Sequence, residues 1–207
     1  MAEIKLTKNE LRNQQTKLNQ LIRYLPTLQL KKALLQSQVN ETRIELNRLE
    51  DEMETKKHVV EAYASLLAQK ISINILDFAR IKEIKKRYEN IAGCDVPIFE
   101  GVSFEEMNYD LFDTPVWLES AIYGLRTLSE VEARIIIARE KKKALEKELR
   151  EVSIRVNLLE KILIPHCEEN IKTIKVFLGD QQLAAVAQAK VAKIKIEMAK
   201  VGANHED

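Results

Sequence analysis

Residues 11–49 read LRNQQTKLNQLIRYLPTLQLKKALLQSQVNETRIELNRL. Two series thread this stretch at alternating spacings of three and four. One is Leu11, Leu18, Leu25, Lys32, Val39, Leu46, Met53, Val60 and Leu67; the other is Gln14, Leu21, Leu28, Leu35, Thr42, Leu49, Lys56 and Tyr63. Thirteen of the seventeen positions are apolar over eight heptads, more than the three or four heptads that mark a coiled coil. At about 1.5 Å per residue, some 60 such residues make a rod of roughly 90 Å, longer than an ordinary globular core needs. Pro26 lies inside the pattern. It removes one helical hydrogen bond, and because the heptads continue in register beyond it, a bend near residues 23–26 is expected rather than an end.

A second rod is expected from residue 121. Its seam is Leu128, Val131, Ile135, Ala138, Lys142, Leu145, Leu149, Val152, Val156, Leu159 and Leu163, ten of eleven apolar. Ile171, Ile174 and Leu178 continue an apolar face past Pro165, and Leu183, Val186 and Ile194 resume it after Gly179. Bends are expected at Pro165 and Gly179. The fold class is therefore mainly all-α: a long antiparallel two-helix coiled coil of the N- and C-terminal segments, with a smaller irregular middle. The organisation reads as 1–70, 71–120 and 121–207, forming one structural unit. The seam residues expected to hold it are Leu18, Leu21, Leu25, Leu28, Leu35, Val39, Leu46, Leu49, Leu145, Leu149, Val152, Val156, Leu159 and Leu163.

Between the rods the texture changes. Ile71, Ile75, Phe78, Ile81, Tyr88 and Ile91 are spaced as a further amphipathic helix, which Gly93 ends. Residues 95–100 and 102–109 are expected to form a short hairpin around Gly101. Residues 94–120 carry seven acids and no Lys or Arg, whereas residues 1–35 carry seven Lys or Arg against two acids. Antiparallel pairing would place both termini at one end, with Lys190, Lys193, Lys195 and Lys200 joining the basic N-terminal group. The opposite end would be acidic and rich in aromatics. Phe99, Phe104, Tyr109, Phe112 and Trp117 form either a satellite core or a docking surface, since aromatics are enriched in interface cores.

Composition narrows the function classes. Charged residues make up 31% and aromatics 5%, with five Gly and four Pro, the profile of long helices. The net charge of +1 gives no broad positive field for nucleic acid. No signal peptide is expected, and no run approaches the roughly 20 apolar residues of a membrane span. Cys94 and Cys167 read as free thiols. Neither G-x-x-x-x-G-K-[ST] nor G-x-G-x-x-G occurs, so no phosphate cradle is signalled. H-E-x-x-H and C-x-x-C are also absent. His166, Cys167 and Glu168 are neighbours, and consecutive helical residues diverge by about 100°, so they do not converge on an ion. No catalytic residue, cofactor or metal is expected.

Several segments resemble the D subunit of the rotary V-type (A/V-type) ATPases. That family opens P-T-K-x-x-L, and this chain has Leu6-Thr7-Lys8-Asn9-Glu10-Leu11, with Leu in place of Pro. Leu28-Gln29-Leu30-Lys31-Lys32-Ala33-Leu34-Leu35 is a looser version of the family's basic helical segment. The family's R-R-V-N-A-L-E, then I-P and T-I, is similar to Ile154-Arg155-Val156-Asn157-Leu158-Leu159-Glu160, Ile164-Pro165 and Thr173-Ile174. Lys190, Lys193 and Lys195 match its lysine-rich end. Leu178-Gly179-Asp180-Gln181-Gln182-Leu183-Ala184 departs from the charged L-D-E-x-E-R-E of the family.

The resemblance implies a non-catalytic central rotor shaft that couples ATP synthesis or hydrolysis to proton or sodium transport. The implied partners are the catalytic A and B subunits, the small F subunit of the stalk and the C/d-type subunit on the membrane ring. The implied location is cytoplasmic and peripheral to the membrane. Thr7, Lys8, Arg12, Lys190, Lys193 and Lys195 would meet the catalytic ring. A static coiled-coil adaptor linking two complexes explains the rods equally well but not the match over residues 155–160. Binding of nucleic acid by the basic tip is a third reading, which predicts salt-sensitive retention.

Overall fold

The computed structural model describes residues 4–61, 79–105, 115 and 117–203, the side chains of 199–203 excepted. The order is helix α1 (Lys8–Glu61), strands β1 (Ile81–Ile91) and β2 (Cys94–Phe104), helix α2 (Leu118–Leu158), a π-helical turn (Leu159–Leu163) and helix α3 (Ile164–Ala203). Two compact units result. One comprises Met1–Gln29 with Ile154–Asp207, the other Leu30–Ser153.

Thr7 starts α1: its hydroxyl accepts the Glu10 N–H at 3.3 Å, filling one of the four amide donors that every helix start leaves open. The Glu10 carboxylate accepts the Gln14 amide at 2.8 Å. The helix continues unbroken through Pro26, although an interior proline costs about 3 kcal/mol in an isolated helix. The Thr27 hydroxyl donates to the Tyr24 carbonyl at 2.7 Å in this turn.

In the Leu30–Ser153 unit, α1 and α2 run antiparallel. Three ion pairs set the direction: Lys31 with Glu148 at 2.7 Å, Glu45 with Lys141 at 3.5 Å and Glu50 with Arg139 at 2.8 Å. As the α1 number rises, its partner's falls. Leu46, Val131, Ile135 and Ala138 form a buried cluster against which Leu49 and Met53 pack. Leu35, Val39, Leu145 and Val152 are also buried. Thr42 occupies a seam position because its hydroxyl satisfies itself on the Gln38 carbonyl at 2.7 Å. Lys56 leans to Glu52 at 2.6 Å, a bond that holds the Glu52 carboxyl below its usual value.

β1 and β2 form a two-stranded antiparallel sheet. This corrects the helix expected through Ile81, Tyr88 and Ile91. Ile71, Ile75 and Phe78, the rest of that pattern, lie outside the described residues. The expected hairpin is also displaced: its turn is at Ala92 and Gly93, not Gly101. Both turn residues have positive φ, 51° and 81°, as a two-residue type I′ connection requires. Asn90 locks the turn, accepting the Gly93 N–H at 3.0 Å and donating to Asp95 at 2.7 Å. Gly101 pairs with Lys85 inside the sheet, while Lys86 pairs with Phe99. Glu100 is the extra residue of a bulge, the usual meaning of a glycine within a strand pattern.

The π turn resolves a phase problem. The seam runs at three-four spacing to Leu163, which places the next members at 166, 170 and 173. The buried apolar residues are instead Cys167, Ile171 and Ile174, one place later, with Asn170 also buried beside Ile171. One extra residue would rotate an α-helical face by about 100°. The wider turn absorbs it, with the Ile164 N–H bonded to the Leu159 carbonyl, five residues back. Pro165, where a bend was expected, directly follows the wide turn, and the helix runs on through it without a break. At Gly179, the other expected bend, α3 is unbroken.

Candidate functional site

The Met1–Gln29 and Ile154–Asp207 unit places the N-terminal segment beside α3. Leu18 lines a shallow hollow with Ile171, Lys175 and Val176, and Leu6 lines another with Thr173, Val176 and Phe177. Leu6 precedes α1, and its hollow reaches Asp180, beyond Val176, the last neighbour of Leu18. Seam residues Leu18, Leu21, Leu25, Leu28, Leu159 and Leu163 are half-buried, and Val156 is buried. α1 starts at Lys8, so α3 continues past it. Residues 181–198 are exposed throughout.

This overhang is unusual in composition. Eleven of its eighteen residues are apolar, too many for a face meant for water. Leu183, Val191, Ile194 and Met198 fall within one arc of the helix and Val186 and Ile196 beyond it, each at least half exposed. A helix apolar on most of its circumference belongs inside something. An enclosing partner would stabilise it by burying this apolar surface.

The six residues expected at the catalytic ring divide into two levels of this unit. Thr7 caps α1, and Lys8 and Arg12 are exposed on its first turns. Lys190, Lys193 and Lys195 stand farther along α3, about 15 Å or more beyond Asp180 at the helical rise. Lys193 approaches Glu197 at 3.9 Å, and both are exposed.

Of the aromatic residues expected at a docking end, Phe99 and Phe104 lie against arginines of α2. The Arg134 guanidinium lies 5.3 Å from the centroid of Phe99, and that of Arg126 lies 5.1 Å from Phe104. These contacts, with the Lys86–Glu140 ion pair at 2.9 Å, fasten the hairpin to α2 in the Leu30–Ser153 unit. The contacts run from Arg126 to Glu140, and a Cβ on Gly93 would lie 3.6 Å from Lys31 Nζ. Trp117 is half-buried beside the start of α2, its carbonyl accepting the Ala121 N–H at 3.0 Å. Tyr109 and Phe112 lie outside the described residues. The hairpin also exposes Lys82, Lys85, Arg87 and Tyr88 on β1. A basic strand thus borders the acidic segment, a juxtaposition that a helical reading of residues 81–91 conceals.

In the same unit an open groove of about 630 Å³ lies where the end of α1 approaches the start of α2, lined by Lys56, Val59, Val60, Tyr123 and Gly124 among others. Among the described residues no group of His, Cys, Asp and Glu is placed to hold a metal, and no helix is long and apolar enough to cross a membrane. Cys94 sits half-buried; burial pushes its thiol up, Glu148 and Asp95 reinforce the shift, and Lys31 opposes it. It is thereby kept from the thiolate form that reacts.

The sequence matches a known family and its members. Residues 10–194 match the family model that describes the D subunit of ATP synthase. The V-type ATP synthase D subunit of Chlamydia caviae is 40% identical over 200 residues, covering 96% of each chain. That of Chlamydia pneumoniae is 41% identical over 206 residues with the same coverage. That of Borreliella burgdorferi is 37% identical over 193 residues, 93% of this chain and 95% of its own.

Proposed function

This chain belongs to the family of ATP synthase D subunits, and from that premise we propose that it is the central shaft of a rotary V-type ATP synthase or ATPase. It carries torque between a catalytic ring of A and B subunits and a membrane ring that moves protons or sodium ions. It has no catalytic role of its own, and it works at the cytoplasmic face through its complex. The small F subunit and the C/d-type subunit seat its other end.

The observation that carries this reading is the α3 overhang. An exposed helix, apolar on most of its circumference, suits a collar that surrounds it. Its Lys190, Lys193 and Lys195, with Thr7, Lys8 and Arg12 on the lower level, meet the ring's inner wall. The overhang is not uniform around its axis, so each surrounding site meets a different face as it turns. Only contacts that differ between states can bias those states, and by linkage the nucleotide state of the ring biases the shaft angle in return.

Removing residues 1–10 and 196–207 tests the assignment. The truncated shaft is expected to bind the F subunit normally while ATP turnover uncouples from ion transport. Coupled transport at the full rate, or loss of that binding, contradicts it.

A further inference from the structure

Two interruptions of α-helical hydrogen bonding fall at one level of the helix pair. On α1, Pro26 has no N–H to give the Ile22 carbonyl. The Thr27 hydroxyl donates to the Tyr24 carbonyl at 2.7 Å in the same turn, a contact that often bends a helix. On the facing helix, the Ile164 N–H reaches back five residues to the Leu159 carbonyl, and Pro165 directly after it donates no bond. Within the unit of Met1–Gln29 and Ile154–Asp207, Gln29 and Ile154 mark the same end. Three residues in from each lie Pro26 and Asn157. Leu18 shares a hollow with Ile171, and eight residues from each lie Pro26 and Leu163. Pro26 thus stands opposite residues 157–163, the π turn among them.

Packing is thin at this level. None of residues 157–166 is buried, where a seam of this spacing would bury about three. Val152 and Val156 are buried before the gap, and Cys167, Ile171 and Ile174 after it. The buried residues of α1 all lie from Leu35 to Leu46, so Leu21, Leu25 and Leu28 give only half-buried contacts here. Tyr24, Ile154, Leu158 and Ile162 are exposed, so among the described residues no outer layer braces the pair.

We infer that the level of Pro26 and the π turn is a compliant joint, the section of the helix pair that yields first to twist or bending. Helices kink where proline or a π turn removes their regular bonds, and π turns inside helices recur at functional positions. Sections with few buried contacts open at the lowest free energy. Both helices are weakened at the same height, so neither splints the other. The use of the joint rests on the shaft reading: a chain that carries torque would wind up here before its two ends turn together.

Native-state hydrogen exchange of the full chain, resolved along the sequence, tests the inference. Protection at residues 22–28 and 158–166 is expected to be at least tenfold below that at residues 35–46 and 170–176. Pro26→Ala returns the missing donor, and it should raise protection at least fivefold in residues 158–166 of the facing helix as well as in its own turn. Even protection along both helices, or a rise confined to α1, overturns the joint. Even protection in a chain that rotates within its complex refutes the joint and leaves the shaft reading standing. The exchange minimum and the cross-helix rise in a chain that does not rotate support the joint and refute the shaft.

Discussion

Deleting Lys161 removes one residue from the π turn and with it the extra residue in the seam. Ile164, Cys167, Ile171, Ile174 and Leu178 all move one place earlier, into the three-four spacing that ends at Leu159. The shortened helix becomes α-helical throughout, and the same side chains stay buried. The expected cost is within about 1 kcal/mol, close to the range of a tolerated surface change. Deleting Lys147 is the control. It sits between the buried Leu145 and the half-buried Leu149, where the helix has no wide turn to absorb a change. The seam beyond it rotates by about 100°. Displacing Leu149, Val152 and Val156 loses about 1.5–3 kcal/mol each, so roughly 5–9 kcal/mol in total. In a chain of this size each kcal/mol moves the melting temperature by about 2–4 °C. Circular dichroism melts of the two deletions should therefore differ by more than about 10 °C, the Lys161 deletion remaining near wild type. Equal destabilisation by both would refute the idea that the π turn corrects the phase.

Three smaller perturbations follow from single sites. Ala92 holds a positive φ that costs a non-glycine residue roughly 1–2 kcal/mol, so Ala92→Gly should raise the melting temperature by a few degrees; a drop would contradict the strained-turn reading. Gln14 Oε1 is buried without a hydrogen-bond partner, so Gln14→Leu should stabilise the chain by about 1 kcal/mol in urea titrations, given the usual cost of an unsatisfied group. The Glu52 carboxyl is lowered chiefly by its bond to Lys56; a depressed carboxylate contributes stability above its unfolded value and loses it as pH falls through the folded one. Wild type and Glu52→Gln should therefore differ by a few tenths of a kcal/mol at neutral pH, as suits a partly exposed pair, and converge in acid.

The long helices are legible in the sequence because a heptad repeated many times outweighs local exceptions such as Thr42 and Lys56, which settle their own polar groups within the turn. β1 reads as a helix for a related reason. Ile81, Ile84, Tyr88 and Ile91 recur at spacings of three, four and three, a helical period, and the register irregularities near Ile81 and Lys85 erase the alternation that would signal a strand. Gly101 resembles a turn because glycine serves turns and bulges alike, whereas the Ala92–Gly93 pair lacks the Asn or Asp that usually announces a type I′ turn.

Candidate-site residues on the helices can be placed by counting, but their separation into two levels depends on where α1 begins relative to α3. Phe99 and Phe104 cannot be assigned from sequence, since nothing in their spacing reveals that Arg134 and Arg126 lie over their rings. Ile154, Leu158 and Ile162 fall in the stretch that resembles the rotor family, yet their exposure is visible only once the seam beside them is defined.

Whether this chain turns inside a catalytic ring is tested most directly by watching a bead fixed to it in a complex whose ring is immobilised. Sustained one-way rotation that requires ATP is the predicted result, and it should weaken when residues 181–207 are removed. A bead that stays still while the complex hydrolyses ATP would contradict the shaft reading.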